Sequence, residues 1–375
     1  MPPGVARVKI ERVELRGLEL PLLRPFETSF GRTDSKRFLL LAVSAGGVTG
    51  FGECVADPDP YYLPETTGTV RHVLRDFLVP LLASLDLDHP RDVAPAFARV
   101  RGHEMAKACL EMAVWDLWAR REGRPLYALL GGRGGRIQAG VSIGLQASPE
   151  ALVERVAVEA AAGYRRVKIK IKPGHDLDLV RAVRARFPEL PLMVDANSAY
   201  GLDDFDRLRA LDRFGLTMIE QPLAWDDLVD HARLQRLLRT PLCLDESIRS
   251  MDDARRALDL GSCRVVNVKV GRIGGFASLI ELHEHCLLRG VPLWCGGMLE
   301  SGVGRLANVH LQTLPGFTLP GDTSASSRIF AEDLVDPPVE VAPDGTIAVP
   351  EGPGLGHDLV WPRVERATRF VEAWP

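Results

Sequence analysis

Positions 166–171 read RVKIKI, a run in which charged and β-branched residues alternate, so it forms a strand carrying Lys168 and Lys170 on one face. The runs that follow share its form. LPLMVDAN (190–197), LTMIEQP (216–222), PLCLDES (241–247), VVNVKVG (265–271) and VPLWCGG (291–297) are short, apolar, and end in a polar residue or glycine. RIQAGVSIG (136–144) precedes the set and FTLPGD (317–322) closes it, with amphipathic stretches of helical period between the runs. Eight strand-like units alternating with helices predict parallel βαβ units, and eight such units close into a (β/α)8-type barrel.

Outward from the barrel the texture changes. VKIERVELRGLELPL (8–22) and FLLLAVSA (38–45) read as strands, the second ending at the Gly46-Gly47 turn. HEMAKACLEMAVWDLWARREG (103–123) is helical, with Ala108, Met112, Trp115 and Trp118 at three- and four-residue steps. The glycines of LLGGRGGR (129–136) break any regular element. This predicts an α+β domain over 1–132, the barrel over 133–327, and a proline-rich, strand-like tail over 328–375 that folds back onto the first domain.

Apolar residues at 46% and charged ones at 26% suit a folded chain with a full core. With 46 basic and 50 acidic residues mixed along the sequence, no basic face gathers phosphates, and nucleic acid is not an expected partner. The opening residues 1–20 hold no continuous apolar core and do not read as a secretory signal. No apolar run approaches the roughly 18 to 20 residues of a membrane span. The six cysteines show no CxxC pairing, so neither a zinc site nor a disulfide framework is expected, and the cytoplasm is the simplest home.

Lys170, Asp195, Glu220, Asp245 and Lys269 each fall at or near the carboxyl end of a predicted strand, at intervals of 25, 25, 25 and 24 residues. One such residue alone reads as a solvated rim charge. Five at one repeat length converge on one barrel mouth, where barrel enzymes keep their chemistry. Three carboxylates gathered there repel unless a cation joins them. An all-oxygen set without histidine or thiolate suits Mg²⁺ or Mn²⁺. A substrate carboxylate bound at such an ion would have its enolate charge stabilised. Lys168 and Lys170 both point inward, and crowding by like charge and metal makes Lys170 a credible base. Lys269, on the sixth strand, faces Lys170 on the second across the ring, so one lysine can remove a proton and the other return it. Two rivals are a metal-free Schiff-base aldolase and a silent barrel acting as a scaffold, both indifferent to chelation.

The KxK of Lys168 and Lys170, the Asp195 of VDAN, the Glu220 of IEQP, the Asp245 of LDES and the Lys269 of NVKVGRIGG together resemble the muconate lactonizing subgroup of the enolase superfamily. The resemblance spans almost the whole chain. It implies a (β/α)7β barrel under an N-terminal capping domain, Mg²⁺ held by Asp195, Glu220 and Asp245, and lysines as acid and base. PFETSFGR (25–32), FGECVA (51–56), GGMLESGVGR (296–305) and LPGDTSAS (319–326) are similar to N-acylamino acid racemases and the related o-succinylbenzoate synthases. By that resemblance the loops around Phe26 and from Val55 to Tyr62 close over the substrate, although Asp57, Asp59 and Glu65 make the second loop acidic. Ser142, Asn197, Met298 and Asp322, at predicted strand ends, line the pocket. A small carboxylate substrate is the expected partner, and members of the family are often homo-octamers.

Overall fold

The computed structural model describes residues 7–28 and 31–375. Met1–Ala6 of the opening segment and Ser29–Phe30 within PFETSFGR lie outside the described residues. β1 (Arg12–Glu27), β2 (Arg32–Ala45) and β3 (Val48–Cys54) form an antiparallel meander. Its apolar face packs on α1 (Glu104–Arg121), which is buried almost all round. GFGEC (50–54) makes that packing possible. A Cβ at Gly50 would lie 2.1 Å from the Leu117 backbone nitrogen, and one at Gly52 2.0 Å from the Cys109 carbonyl oxygen, so only glycine lets helix and strand approach this closely.

The barrel sheet is parallel and holds seven strands: β4 (Gly140–Ile143), β5 (Arg166–Lys170), β6 (Leu192–Asp195), β7 (Ile219–Glu220), β8 (Leu242–Leu244), β9 (Val265–Val268) and β10 (Leu293–Cys295). They lie in sequence order, each paired to the next. The expected eighth strand at 317–322 is not one. Pro320 has no N–H for a ladder, and the segment joins the sheet only through single bridges, Phe317 to Leu293 on one side and Gly321 to Ala139 on the other. RIQAGVSIG also divides: Arg136–Gln138 pairs antiparallel with Thr346–Ala348, and only Gly140–Ile143 enters the parallel sheet. At the carboxyl end, β11 (Thr368–Trp374) adds to the meander beside β1, with Val13 opposite Trp374. All six cysteines are buried and unbridged, and among the described residues no helix is long and apolar enough to cross a membrane.

Two buried carboxylates of the meander side cap barrel helices. Glu111 on α1 accepts the Phe276 and Ala277 N–H groups at 2.8 and 2.9 Å, at the start of α2 (Phe276–Leu288). Glu53 on β3 accepts from Ser301 N at 2.8 Å and Gly304 N at 3.1 Å, at the start of α3 (Gly302–Leu311). The helix start that follows the GRIGG turn thus gives its N–H groups to a side chain of the chain itself. Burial pushes both carboxyls up to about 7. A carboxyl whose pKa is raised by folding binds more protons in the native state, so its contribution to stability is present at low pH and is lost as pH rises through about 7. Glu111→Gln, which cannot titrate, should remove that slope. The stability advantage of the wild type over the variant is expected to shrink between about pH 5 and pH 8, as read by calorimetric Tm at both values.

Candidate active site

Strand register sets the chemistry in one row. Lys170 ends β5, Asp195 ends β6 and Glu220 ends β7, and the ladder places Lys170 opposite Asp195 and Asp195 opposite Glu220. Asp245 and Lys269 directly follow the last residues of β8 and β9. Parallel strands of equal repeat bring residues spaced 25 apart to one level, which is why a sequence period becomes a spatial cluster.

Each carboxylate meets cations of the chain. Asp195 Oδ2 accepts from Lys170 Nζ at 2.7 Å and pairs with Lys168 at 3.2 Å. Glu220 accepts from Lys168 at 3.0 Å and from the Asn267 amide at 2.6 Å. Asp245 accepts from Lys269 at 2.7 Å and Tyr62 at 3.2 Å, and its other oxygen takes the Arg272 guanidinium. Asp322 joins Lys168 at 2.7 Å and Arg166 at 2.5 Å. Among the described residues, no three acidic, histidine or cysteine side chains are arranged together as a metal-ion group, and ammonium and guanidinium groups lie against these carboxylates.

Burial opposes charge on Glu220, Asp245, Asp322 and Lys168, and neighbours decide the outcome. Burial pushes the Glu220 carboxyl well above the carboxylate range, with Asp195 adding to the effect. Asp245 and Asp322 are equally buried, yet Arg272 and Lys269 hold the first low, and Lys168 and Arg166 hold the second low. At Lys168 burial favours the neutral amine, but Asp322, Glu220 and Asp195 together raise its pKa well above the ordinary value. Lys168 is therefore a fixed cation that neutralises the strand-end carboxylates.

Phe26, Tyr62, Ser142, Asn197, Met298 and Asp322 all line one cavity together with Lys168, Lys170, Lys269 and Asp195. Glu220 and Asp245 stand one contact behind that lining. Tyr62 of the first domain reaches the strand-end residues, its hydroxyl accepting from Lys269 and donating to Asp245. Asn197, at positive φ, accepts from Lys170 at 2.5 Å and donates to Glu246 at 2.9 Å. The acidic loop is largely accounted for: Glu65 caps the start of α1 through Met105 N and Ala106 N, and Asp57 pairs with Lys36.

Four charged residues of this centre escaped the sequence reading. Arg166 had a signal, since it shares the alternating face of Lys168 and Lys170. Glu246, whose Oε2 is buried without a hydrogen-bond partner, stood beside Asp245 in LDES. Arg272, in the turn after β9, and Lys36, on β2, obey no period that would single them out.

The Enolase C-terminal domain-like family model matches residues 151–363, and the Mandelate racemase / muconate lactonizing enzyme, N-terminal domain model matches residues 12–131. An o-succinylbenzoate synthase of Geobacillus kaustophilus is 55% identical over 97% of both chains. An N-succinylamino acid racemase of Thermus thermophilus is 49% identical over 98% of this chain and 100% of its own. Among solved structures, an enolase superfamily member from Listeria innocua superposes with a TM-score of 0.95 at 44% identity, covering 98% of this chain and 99% of that one.

Proposed function

Because the chain belongs to the enolase superfamily, as an enzyme of its mandelate racemase and muconate lactonizing branch, we propose that it racemises N-acylamino acids, N-succinyl or N-acetyl, through an enolate. The observation that carries this reading is the pair Lys170 and Lys269. They stand at the ends of β5 and β9, with three strands between them, each held by a strand-end carboxylate and both lining one cavity. A substrate held between them can lose its alpha proton to one lysine, and the planar enolate that results can take a proton from the other on the opposite face.

Members of this superfamily use a divalent metal, and the donor chemistry here fits Mg²⁺. Formal charge supports the fit. Five carboxylates (Asp195, Glu220, Asp245, Glu246, Asp322) face five cations (Arg166, Lys168, Lys170, Lys269, Arg272) in this network. Making one lysine a neutral base and admitting one substrate carboxylate leaves a charge of −2, which a divalent ion balances. Glu220, pushed toward protonation by burial, needs an added positive charge to stay ionised. Asp195, Glu220 and Asp245 would hold the ion, which when bound supplies the charge that stabilises an enolate and favours a neutral lysine. Lys168 and Arg166 keep Asp322 and the strand ends neutralised, while Tyr62 and Phe26 close the cavity from the first domain.

A second reading, syn dehydration to o-succinylbenzoate, is favoured by the 55% identity to a synthase and uses the same enolate step with one lysine as base. Proton NMR in D₂O separates the two, with N-succinyl and N-acetyl amino acids offered beside the synthase substrate and kcat/KM compared. Loss of exchange on every N-acylamino acid would remove the racemase reading. Tyr62→Phe should act asymmetrically, because its hydroxyl touches Lys269. Exchange of the enantiomer served by Lys269 is expected to fall about tenfold, the order of one hydrogen bond to a charged group, and exchange of the other much less. Equal losses on pure D and L substrates would count against Tyr62 acting through Lys269.

A further inference from the structure

Lys36 is 3% exposed on β2, far in sequence from the barrel, and lines the same cavity as the two strand-end lysines. An ammonium carries three donors. Among the described residues Lys36 spends one, on Asp57 Oδ1 at 2.5 Å. Its partner belongs to the irregular loop after β3 and keeps 31% of its side chain exposed. A buried cation with a single hydrogen bond is costly when it only pins a loop, because desolvation must be repaid by hydrogen bonds.

Other cations at the cavity wall are committed. Arg305 donates to the Glu300 and Ser324 carbonyls, and Arg328 to Glu159 and the Ser142 carbonyl. The strand-end lysines are tied to their carboxylates. Lys36 alone in this set has a partly exposed loop carboxylate as its counterion, and a carboxylate that can leave for water is chemically equivalent to one that a ligand can bring. Its place on the first domain also sets it apart from the acid and base lysines of the barrel.

We propose that Lys36 is the subsite for a second, distal carboxylate of the substrate, and that Asp57 occupies that position until the substrate displaces it. This rests on the substrate reading above. N-succinylamino acids and o-succinylbenzoate both end a succinyl chain in a carboxylate, so one cation serves either activity. On exchange Asp57 returns to solvent, where its charge is hydrated, and the ammonium keeps one anionic partner throughout.

The test compares a terminal acid with its neutral amide. Exchange kinetics on N-succinyl and N-succinamyl forms of one amino acid, and calorimetric binding of o-succinylbenzoate and its side-chain amide with Mg²⁺ present, are measured for wild type, Lys36→Met, Lys36→Arg and Asp57→Asn. The wild type should prefer acid over amide. Lys36→Met should reduce that preference about tenfold or more, the scale of a hydrogen bond to a charged group. Lys36→Arg should retain most of it, and Asp57→Asn should lower the KM or Kd of the acid by removing its competitor. Equal losses on acid and amide in Lys36→Met, or no change in their ratio, would overturn the subsite and leave Lys36 as a loop anchor. If Lys36→Met does not fold, an unaltered acid-to-amide ratio in Asp57→Asn overturns it. A wild type that exchanges no N-acylamino acid yet binds the acid better than the amide would remove the racemase reading and keep the subsite.

Discussion

Lys170→Ala and Lys269→Ala are each expected to lower racemisation about a thousandfold or more, the upper range for a positioned acid or base, while leaving stereospecific exchange behind. Racemisation needs a donor opposite the acceptor, so either truncation removes one half of the reaction. Exchange with retention needs only one lysine. In D₂O the Lys170→Ala enzyme should wash out the alpha proton of the enantiomer facing Lys269, and Lys269→Ala that of its mirror image. Residual exchange will be slower than in the wild type, because each lysine also neutralises a carboxylate: Asp195 loses one of two ammonium partners in the first variant, and Asp245 keeps only Arg272 and Tyr62 in the second. NMR of each variant on each pure enantiomer, with metal content checked, decides the matter. Racemisation near the wild-type rate in either variant, or exchange of the same enantiomer by both, would show that the two lysines do not serve opposite faces.

The parts of this site that were legible in sequence are those that obey the period of the barrel. RVKIKI and the four runs after it became β5 to β9, with Lys170, Asp195 and Glu220 as last residues of their strands and Asp245 and Lys269 one step beyond. A repeat of one strand and one helix fixes both register and level, so spacing alone carries the geometry. What does not repeat was not legible. FTLPGD has the composition of a strand but carries Pro320, and its place between β10 and β4 is held by isolated bridges. Lys36, Arg272 and Asp57 meet their partners through tertiary contacts between elements of unrelated spacing, and no window of sequence contains both members of such a pair. The acidity of residues 57–65 had no visible counterpart for the same reason, since the groups that absorb it, Lys36 and the start of α1, lie elsewhere in the chain.

Glu220→Gln is the sharpest probe of the proposed metal site, because it separates loss of the ion from misplacement of a base. Asp195 and Asp245 each touch a proposed base, so Asn at either position would disturb Lys170 or Lys269 directly. Glu220 touches Lys168 and Asn267 instead, and glutamine preserves its shape while removing its charge. Removing one carboxylate from the charge count leaves a divalent ion in excess, so Mg²⁺ affinity should fall steeply. Turnover should fall by at least about a thousandfold, the scale on which electrostatic stabilisation of a developing oxyanion is lost. EDTA treatment of the wild type should abolish activity, and added Mg²⁺ or Mn²⁺ should restore it, whereas a Schiff-base lysine enzyme or a scaffold would be indifferent. Titration calorimetry of Mg²⁺ into the chelated wild type and variant reads the binding term without relying on turnover. Equal Mg²⁺ affinity in the two proteins would remove Glu220 from the ligand set, and full activity in a preparation verified as metal-free would leave the enolate without the charge that this mechanism requires.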